Sequence, residues 1–231
     1  MKGISFIQPL FHATLEGRKT KTRRIMKPHP IQQIFEYCPL CGEFFDDADF
    51  DFQICHICGF NGNDDENLEY SKPHYRVGET VFLREPYKIE RLMYNAYFQL
   101  KYSGFSGHID HIKNKIPHFY RWIEKRLIEQ KKSKSGWCNK LFIPACVAHY
   151  RIEITDVRCE RLQDISDEDC FAEGIIKTRG ALKQFVAQTV KGDIFRDTPQ
   201  KAFAALIDSI NGKNSWDKNP WVWVYTYKLT K

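Results

Sequence analysis

The chain of 231 residues contains no long apolar run. Its longest apolar pieces are short and strand-like, such as WVWVY at 221 to 225. These fall far below the roughly 20 residues a membrane helix needs, so no membrane span is expected. No N-terminal stretch joins positive charge, an apolar run and a small-residue cleavage site, so no secretory leader is expected. No internal repeat and no low-complexity tract is present, which excludes a repeat array. Charge of one sign is also missing locally. Between Glu43 and Glu69 there are nine acids and no Lys or Arg, whereas LEGRKTKTRRIMKP at 15 to 28 holds six Lys or Arg and no acid after Glu16.

What is present is an ordinary apolar and aromatic fraction, 42% and 14%, enough for a core in one large domain with insertions. Net charge is +6, and residues 113 to 134 carry eight Lys or Arg against two Glu. Segregated basic surfaces point to anionic partners, nucleic acid first. Ordinary solvated charge is the plain alternative.

The chain opens with a strand-like piece and a short helix that has Pro9 near its start and Gly17 as its stop. VGETVFLREPY (77 to 87) reads as a turn at Gly78 and then a strand, NAYFQLKY (95 to 102) as a second strand, and HYRIEITDVRCERL (149 to 162) as a long one. Residues 115 to 133 are expected to be helical. Ile116, Tyr120, Ile123 and Leu127 form the core stripe, and the opposite face is basic. ISDEDCFAEGI and TPQKAFAALIDSING each carry a cap, Ser166 and Thr198, and a terminal glycine, Gly174 and Gly212. NPWVWVYTYKL closes the chain as a strand. These elements do not alternate strictly. They suggest an α+β fold, a small mixed β-barrel or half-barrel with peripheral helices, rather than a doubly wound parallel sheet.

Four of the eight cysteines stand in two C-x-x-C-G knuckles, Cys38/Cys41 and Cys55/Cys58, thirteen residues apart. Each Gly lets the backbone turn tightly behind a pair of thiolates, and two knuckles make a tetrahedral four-sulfur site that suits zinc. With all four positions filled by protein, the ion would be structural. His56 lies inside the second knuckle as a weaker competitor for the ion, and His108 and His111 are read as surface histidines. Cys138, Cys146, Cys159 and Cys170 are scattered. The pattern fits a reducing cytoplasm with one metal site rather than a disulfide framework.

The strip Lys19-Thr20-Lys21-Thr22-Arg23-Arg24 admits more than phosphate binding. Like charges and burial push a lysine pKa down, and a lysine so tuned can act as a base toward a neighbouring threonine hydroxyl. A carboxylate from elsewhere would orient the pair or pass the proton on.

TLEGRKTKTRR resembles the opening motif of ASCH domains, relatives of the PUA RNA-binding fold. VGETVFLRE, HYRIEITDVRCERLQDIS, DEDCFAEGI and NPWVWVYTYKL extend the likeness to the larger, phage-type members. The resemblance implies a single ASCH/PUA-like domain over 1–231, with an inserted zinc ribbon at 36–72 and an inserted basic helical segment at 103–136. A small bacterial family within this group hydrolyses N4-acetylcytidine with a Lys, a Thr and a Glu. Its K-T-x-T motif places the Lys on Lys19 and the Thr on Thr22, and SDEDCFAEG places the Glu on Glu173. The resemblance therefore implies Lys19 as general base, Thr22 as nucleophile and Glu173 as proton donor. Glu85 is a rival carboxylate. Arg18, Lys21, Arg23 and Arg24 would contact substrate or nucleic acid, and Phe6, Tyr87 or Trp223 could stack on a base. The partner is then RNA or a modified nucleoside.

Two functions stay open: a hydrolase of acylated nucleobases, and a non-catalytic RNA-binding module. Nuclease activity is a weaker third. For the ribbon, elemental analysis of purified protein is expected to find one zinc per chain. No metal, together with four freely titratable thiols, would overturn that reading.

Overall fold

The computed structural model describes residues 1–26, 73–93, 97–102, 118–179 and 184–230. The cysteine quartet, His56, His108 and His111 lie outside the described residues, as does the whole 36–72 insertion. In chain order the elements are β1 (Gly3–Ser5), α1 (Gln8–Leu15), β2 (Lys21–Ile25), β3 (Thr80–Arg84), β4 (Tyr87–Met93) and β5 (Tyr97–Tyr102). Then come α2 (Phe119–Lys132), β6 (Arg151–Arg161), α3 (Asp167–Ala172), β7 (Ile176–Lys177), β8 (Phe185–Thr189), β9 (Gly192–Arg196), α4 (Pro199–Asn211) and β10 (Trp221–Thr230). The class is α+β.

The closing strand β10 is an interior strand of the sheet. Val222 and Val224 alternate inward and are fully buried, as a half-covered sheet requires. β10 lies antiparallel between β6 and β2, and the five-stranded sheet runs β1-β3-β6-β10-β2, with β1 and β3 parallel. Leu10 and Phe11 of α1 and Phe203, Leu206 and Ile207 of α4 join Ile152, Ile154 and the β10 valines in one core. The helix grammar is realised. The Thr198 side chain accepts from Lys201 N, Pro199 fills the first turn, and Gly212 ends α4 at φ 106°.

A second cluster forms around the β4–β5 hairpin, where Tyr87, Ile89, Leu100 and Tyr102 meet Ile123 of α2. Gln130 fixes this helix by pairing its amide with both backbone groups of Ile89, at 2.8 and 3.0 Å. Of the anticipated helical stripe, Ile123 is buried and Leu127 packs against it. Ile116 and the side chain of Tyr120 fall outside the described residues. Among the described residues no helix is long and apolar enough to cross a membrane, and there is no disulfide.

No closed barrel is found among the described residues: the five-stranded sheet is open, with β1 and β2 at its two ends. β1 spans three residues and pairs with β3, not β2, among the described strands. The sheet nonetheless curls far enough for Arg24 of β2 to donate to the Ser5 carbonyl of β1 at 2.8 Å. That gap between the two edges is where the candidate site sits.

Gly174 shapes one wall of it. Its φ of 104° is a conformation L side chains rarely adopt, and an added Cβ would lie 3.0 Å from Leu10 Cδ2 and 3.8 Å from Lys19 Cβ. Gly174→Ala is expected to lose roughly 1–2 kcal/mol from the backbone alone, plus the cost of moving α1. Gly17→Ala, at φ 74° with nothing within 4 Å, carries the backbone cost only. Urea unfolding showing the two variants equally stable would contradict this packing.

Candidate active site in the gap between the sheet edges

The loop after α1 is strapped from three sides. Lys19 N donates to Ala13 O at 3.0 Å, Thr20 N to Ala172 O at 2.8 Å, and Tyr227 N to Thr20 O at 2.9 Å. These bonds tie the K-T-x-T motif to α1, to the end of α3 and to β10. The β10–β6 register shifts between Thr226 and Tyr227, where this loop crosses, and such bulges commonly re-aim nearby side chains.

Lys19 is 1% exposed. Its Nζ donates to Glu173 Oε2 at 2.5 Å, to Lys21 O at 2.7 Å and to Glu173 O at 3.0 Å. All three ammonium hydrogens thus have acceptors. Burial pulls the Lys19 pKa below 10.5, the Glu173 carboxylate opposes that shift, and Arg24 and Arg23 reinforce it. Lys19, Thr22 and Glu173 line one cavity of about 210 Å³, together with Phe6, Arg23, Arg24, Lys140 and α4 residues including Phe203 and Ile207. Among the described residues the Thr22 hydroxyl has no hydrogen-bond partner, although the side chain is buried. It is therefore available to a molecule in the cavity.

Arg23 holds the carboxylates in place. Its guanidinium donates to Glu160 Oε1 at 2.5 and 2.8 Å, to Asp169 Oδ2 at 2.6 Å and to Glu173 Oε1 at 3.2 Å. The register explains the meeting: Val224 of β10 faces Arg23 on β2 and Arg158 on β6, so the two arginines flank one position. Asp169 Oδ2 and Glu160 then clamp both, with Arg158 donating at 2.7 and 3.1 Å. Lys21 also donates to Asp169.

Of the expected site residues, Lys19, Thr22 and Glu173 are brought together. Glu85 is not. It is fully buried away from the cavity lining, on the side of Tyr102, whose hydroxyl is pushed up first by burial and then by the Glu85 charge. Arg18, Lys21 and Arg23 each carry an ion pair within the chain, and Arg23 also lines the cavity. Arg18 bonds Glu16 at 2.7 Å on the surface, and the other two serve the buried network. Arg24 lines the cavity, with Phe6 beneath it at 5.5 Å. Lys19 approaches the same ring at 5.4 Å. Among the aromatic candidates, Phe6 lines the cavity, Tyr87 stacks on Trp122 in the second cluster, and Trp223 packs against the main core.

Asp169, Glu160, Arg158 and Lys140 also belong to the site, and the sequence does not single them out for it. Asp169 stands there as a capping position, which its backbone N is, bonded to Ser166 Oγ at 3.1 Å. The signal for Arg158 and Glu160 is their R-x-E alternation, two polar residues on one strand face opposite a basic strand. Among the described residues no group of His, Cys, Asp and Glu is placed to hold a metal.

Comparison of the chain with protein-family models, curated proteins and solved structures finds no match.

Burial works to raise the Asp169 pKa, but hydrogen bonds and charge from Lys21 and Arg23 outweigh it and hold the group at about 2, down from 3.8. A depressed carboxylate stabilises the fold above its unfolded pKa and loses that contribution as pH falls through the folded one. Asp169→Asn is expected to cost about 2 kcal/mol at neutral pH. The gap to the parent should close between pH 3.8 and about 2. Chemical denaturation across that range checks this, and a pH-independent gap would refute it.

Proposed function

We propose that the protein is an ASCH-type, PUA-like hydrolase that removes an acyl group from a modified nucleobase, with N4-acetylcytidine as the reference substrate. The observation that supports this most is the convergence of Lys19, Thr22 and Glu173 on one cavity, with the Lys19–Glu173 contact at 2.5 Å. The cavity, about 210 Å³, lies below the roughly 300–1,000 Å³ of drug-sized ligand sites and suits a single base.

The short contact lets the Lys19 proton pass to Glu173, which leaves a neutral amine beside a neutral acid. The amine takes the Thr22 proton as Oγ1 attacks the acyl carbon. Arg24 offers positive charge to the oxygen that becomes anionic. Collapse breaks the C–N bond, and Glu173 returns a proton to the departing nitrogen. Lys19 then passes the proton it took to Glu173. The amine removes a proton from water as the water attacks the threonyl ester, and Glu173 returns a proton to Thr22 Oγ1 as the acid leaves, which restores the starting pair. Phe6, flanked by Lys19 and Arg24, supplies the apolar wall for the base. The zinc ribbon proposed at Cys38, Cys41, Cys55 and Cys58 plays no part in these steps.

The binding-only reading has less support. A phosphate-gripping strip needs outward cations, whereas Lys19, Lys21 and Arg23 spend their donors on internal acceptors.

Incubation with N4-acetylcytidine is expected to release cytidine and acetate. Thr22→Ala should abolish turnover and Thr22→Ser retain part of it. Lys19→Met should lose roughly 10²–10⁴-fold. Because the competent Lys19–Glu173 pair carries one shared proton, kcat/KM should fall as pH rises through the Lys19 pKa, a limb that burial places below 10.5. Full activity in Thr22→Ala would refute the assignment.

A further inference from the structure

Beside the site, α2 and the segment that follows it enclose an open groove of about 840 Å³. Lys125 and Lys132 of α2 line it and are exposed, and among the described residues neither has an ion-pair partner. Arg121, Lys125, Ile128 and Lys132 follow helical spacing, so the cations form a stripe along one side of α2. The acid in the lining, Glu129, is already held by Arg126 at 2.7 Å and by Asn139 N at 2.7 Å. The groove therefore presents net positive charge.

Aromatic rings accompany these cations. Trp137 lines the groove, with Lys88 Nζ 5.8 Å from its ring centroid. Phe142, 52% exposed, stands outside the lining and carries the guanidinium of the lining residue Arg126 at 4.3 Å. Cations that track a backbone and rings that stack on bases are the two elements of single-strand recognition. An acidic peptide would use the first and leave the second idle.

Lys140 joins the two sites. It lines both the groove and the cavity, and its Nζ reaches the Phe6 carbonyl at 2.5 Å. A strand lying in the groove thus passes directly to the mouth of the base-sized hollow.

We infer that the groove holds the phosphodiester strand flanking the base in the cavity, so that the substrate class is a single-stranded polynucleotide rather than a free nucleoside. This rests on the deacylase reading above. A base stacked in a duplex cannot enter the cavity, which selects unpaired or flipped positions.

The test uses the full chain and a Lys125→Glu/Lys132→Glu variant. Fluorescence anisotropy measures binding of unmodified single-stranded RNA and DNA 12-mers, with polyglutamate as competitor. Kinetics compare an oligonucleotide carrying one N4-acetylcytidine with the free nucleoside. The parent should favour the oligonucleotide. In the variant, the ratio of the two kcat/KM values should fall about tenfold or more. The salt slope of binding should become shallower by roughly 0.7 for each phosphate that the variant no longer neutralises. The RNA and DNA arms assign the sugar. Equal ratios in parent and variant, or polyglutamate competing as well as the oligonucleotide, would overturn the groove assignment. Nucleoside turnover without oligonucleotide preference sinks this inference alone. No turnover of either substrate sinks the deacylase reading, and the binding arm then still decides the groove.

Discussion

The Arg23 guanidinium, buried among Glu160, Asp169 and Glu173, is the interaction on which the site depends. Removing the shared Arg23 guanidinium would strand three carboxylates in a poorly solvated place, at a cost of roughly 3–5 kcal/mol. The network therefore orders several elements at once. Asp169 binds α3 to the sheet, Glu160 ties β6 to β2 across β10, and Glu173 is turned toward Lys19. A lysine that would lose its proton readily in isolation is thereby kept beside a carboxylate that can accept it. The same donors that make the strip look like a phosphate clamp are spent on holding this geometry.

The second constraint is the incomplete sheet. Edge strands leave backbone carbonyls that must find donors. Here Arg24 serves the carbonyl of Ser5 and Lys140 that of Phe6. Two cations are thus brought to the rim of the cavity by the needs of the backbone, where burial and the Arg24 charge hold the Lys140 pKa down. The gap between the sheet edges is the space the cavity occupies, and charge at its rim follows from the same cause.

Much of this is legible in the sequence, for identifiable reasons. Helix caps and stops at Ser166, Thr198, Gly174 and Gly212 rest on local backbone chemistry, and the structure has them at those positions. The alternation in β6 and β10 reflects burial on one face, so both strands are visible. The β7–β8–β9 sheet is not, because its residues pack against α4 and the core only after the chain has folded. The grouping of Lys19, Thr22 and Glu173 comes from resemblance, since 154 positions separate Lys19 from Glu173 and no local pattern reports that distance. The role of Arg23 is hidden for a related reason. A basic run does not reveal which of its members face carboxylates on other elements, and alternation along β2 divides Thr22 and Arg24 from Lys21 and Arg23. The two C-x-x-C-G pairs are read from spacing alone and lie outside the described residues.

The proposed occupant of the cavity is an acylated base with its carbonyl carbon against the Thr22 position. A crystal structure of the Thr22→Ala variant with N4-acetylcytidine tests this most directly. The base is expected over Phe6, the acetyl carbon within about 3–3.5 Å of where Oγ1 would stand, and Lys19 still paired with Glu173. A ligand seated elsewhere, or a cavity that stays closed at saturating ligand, would contradict it.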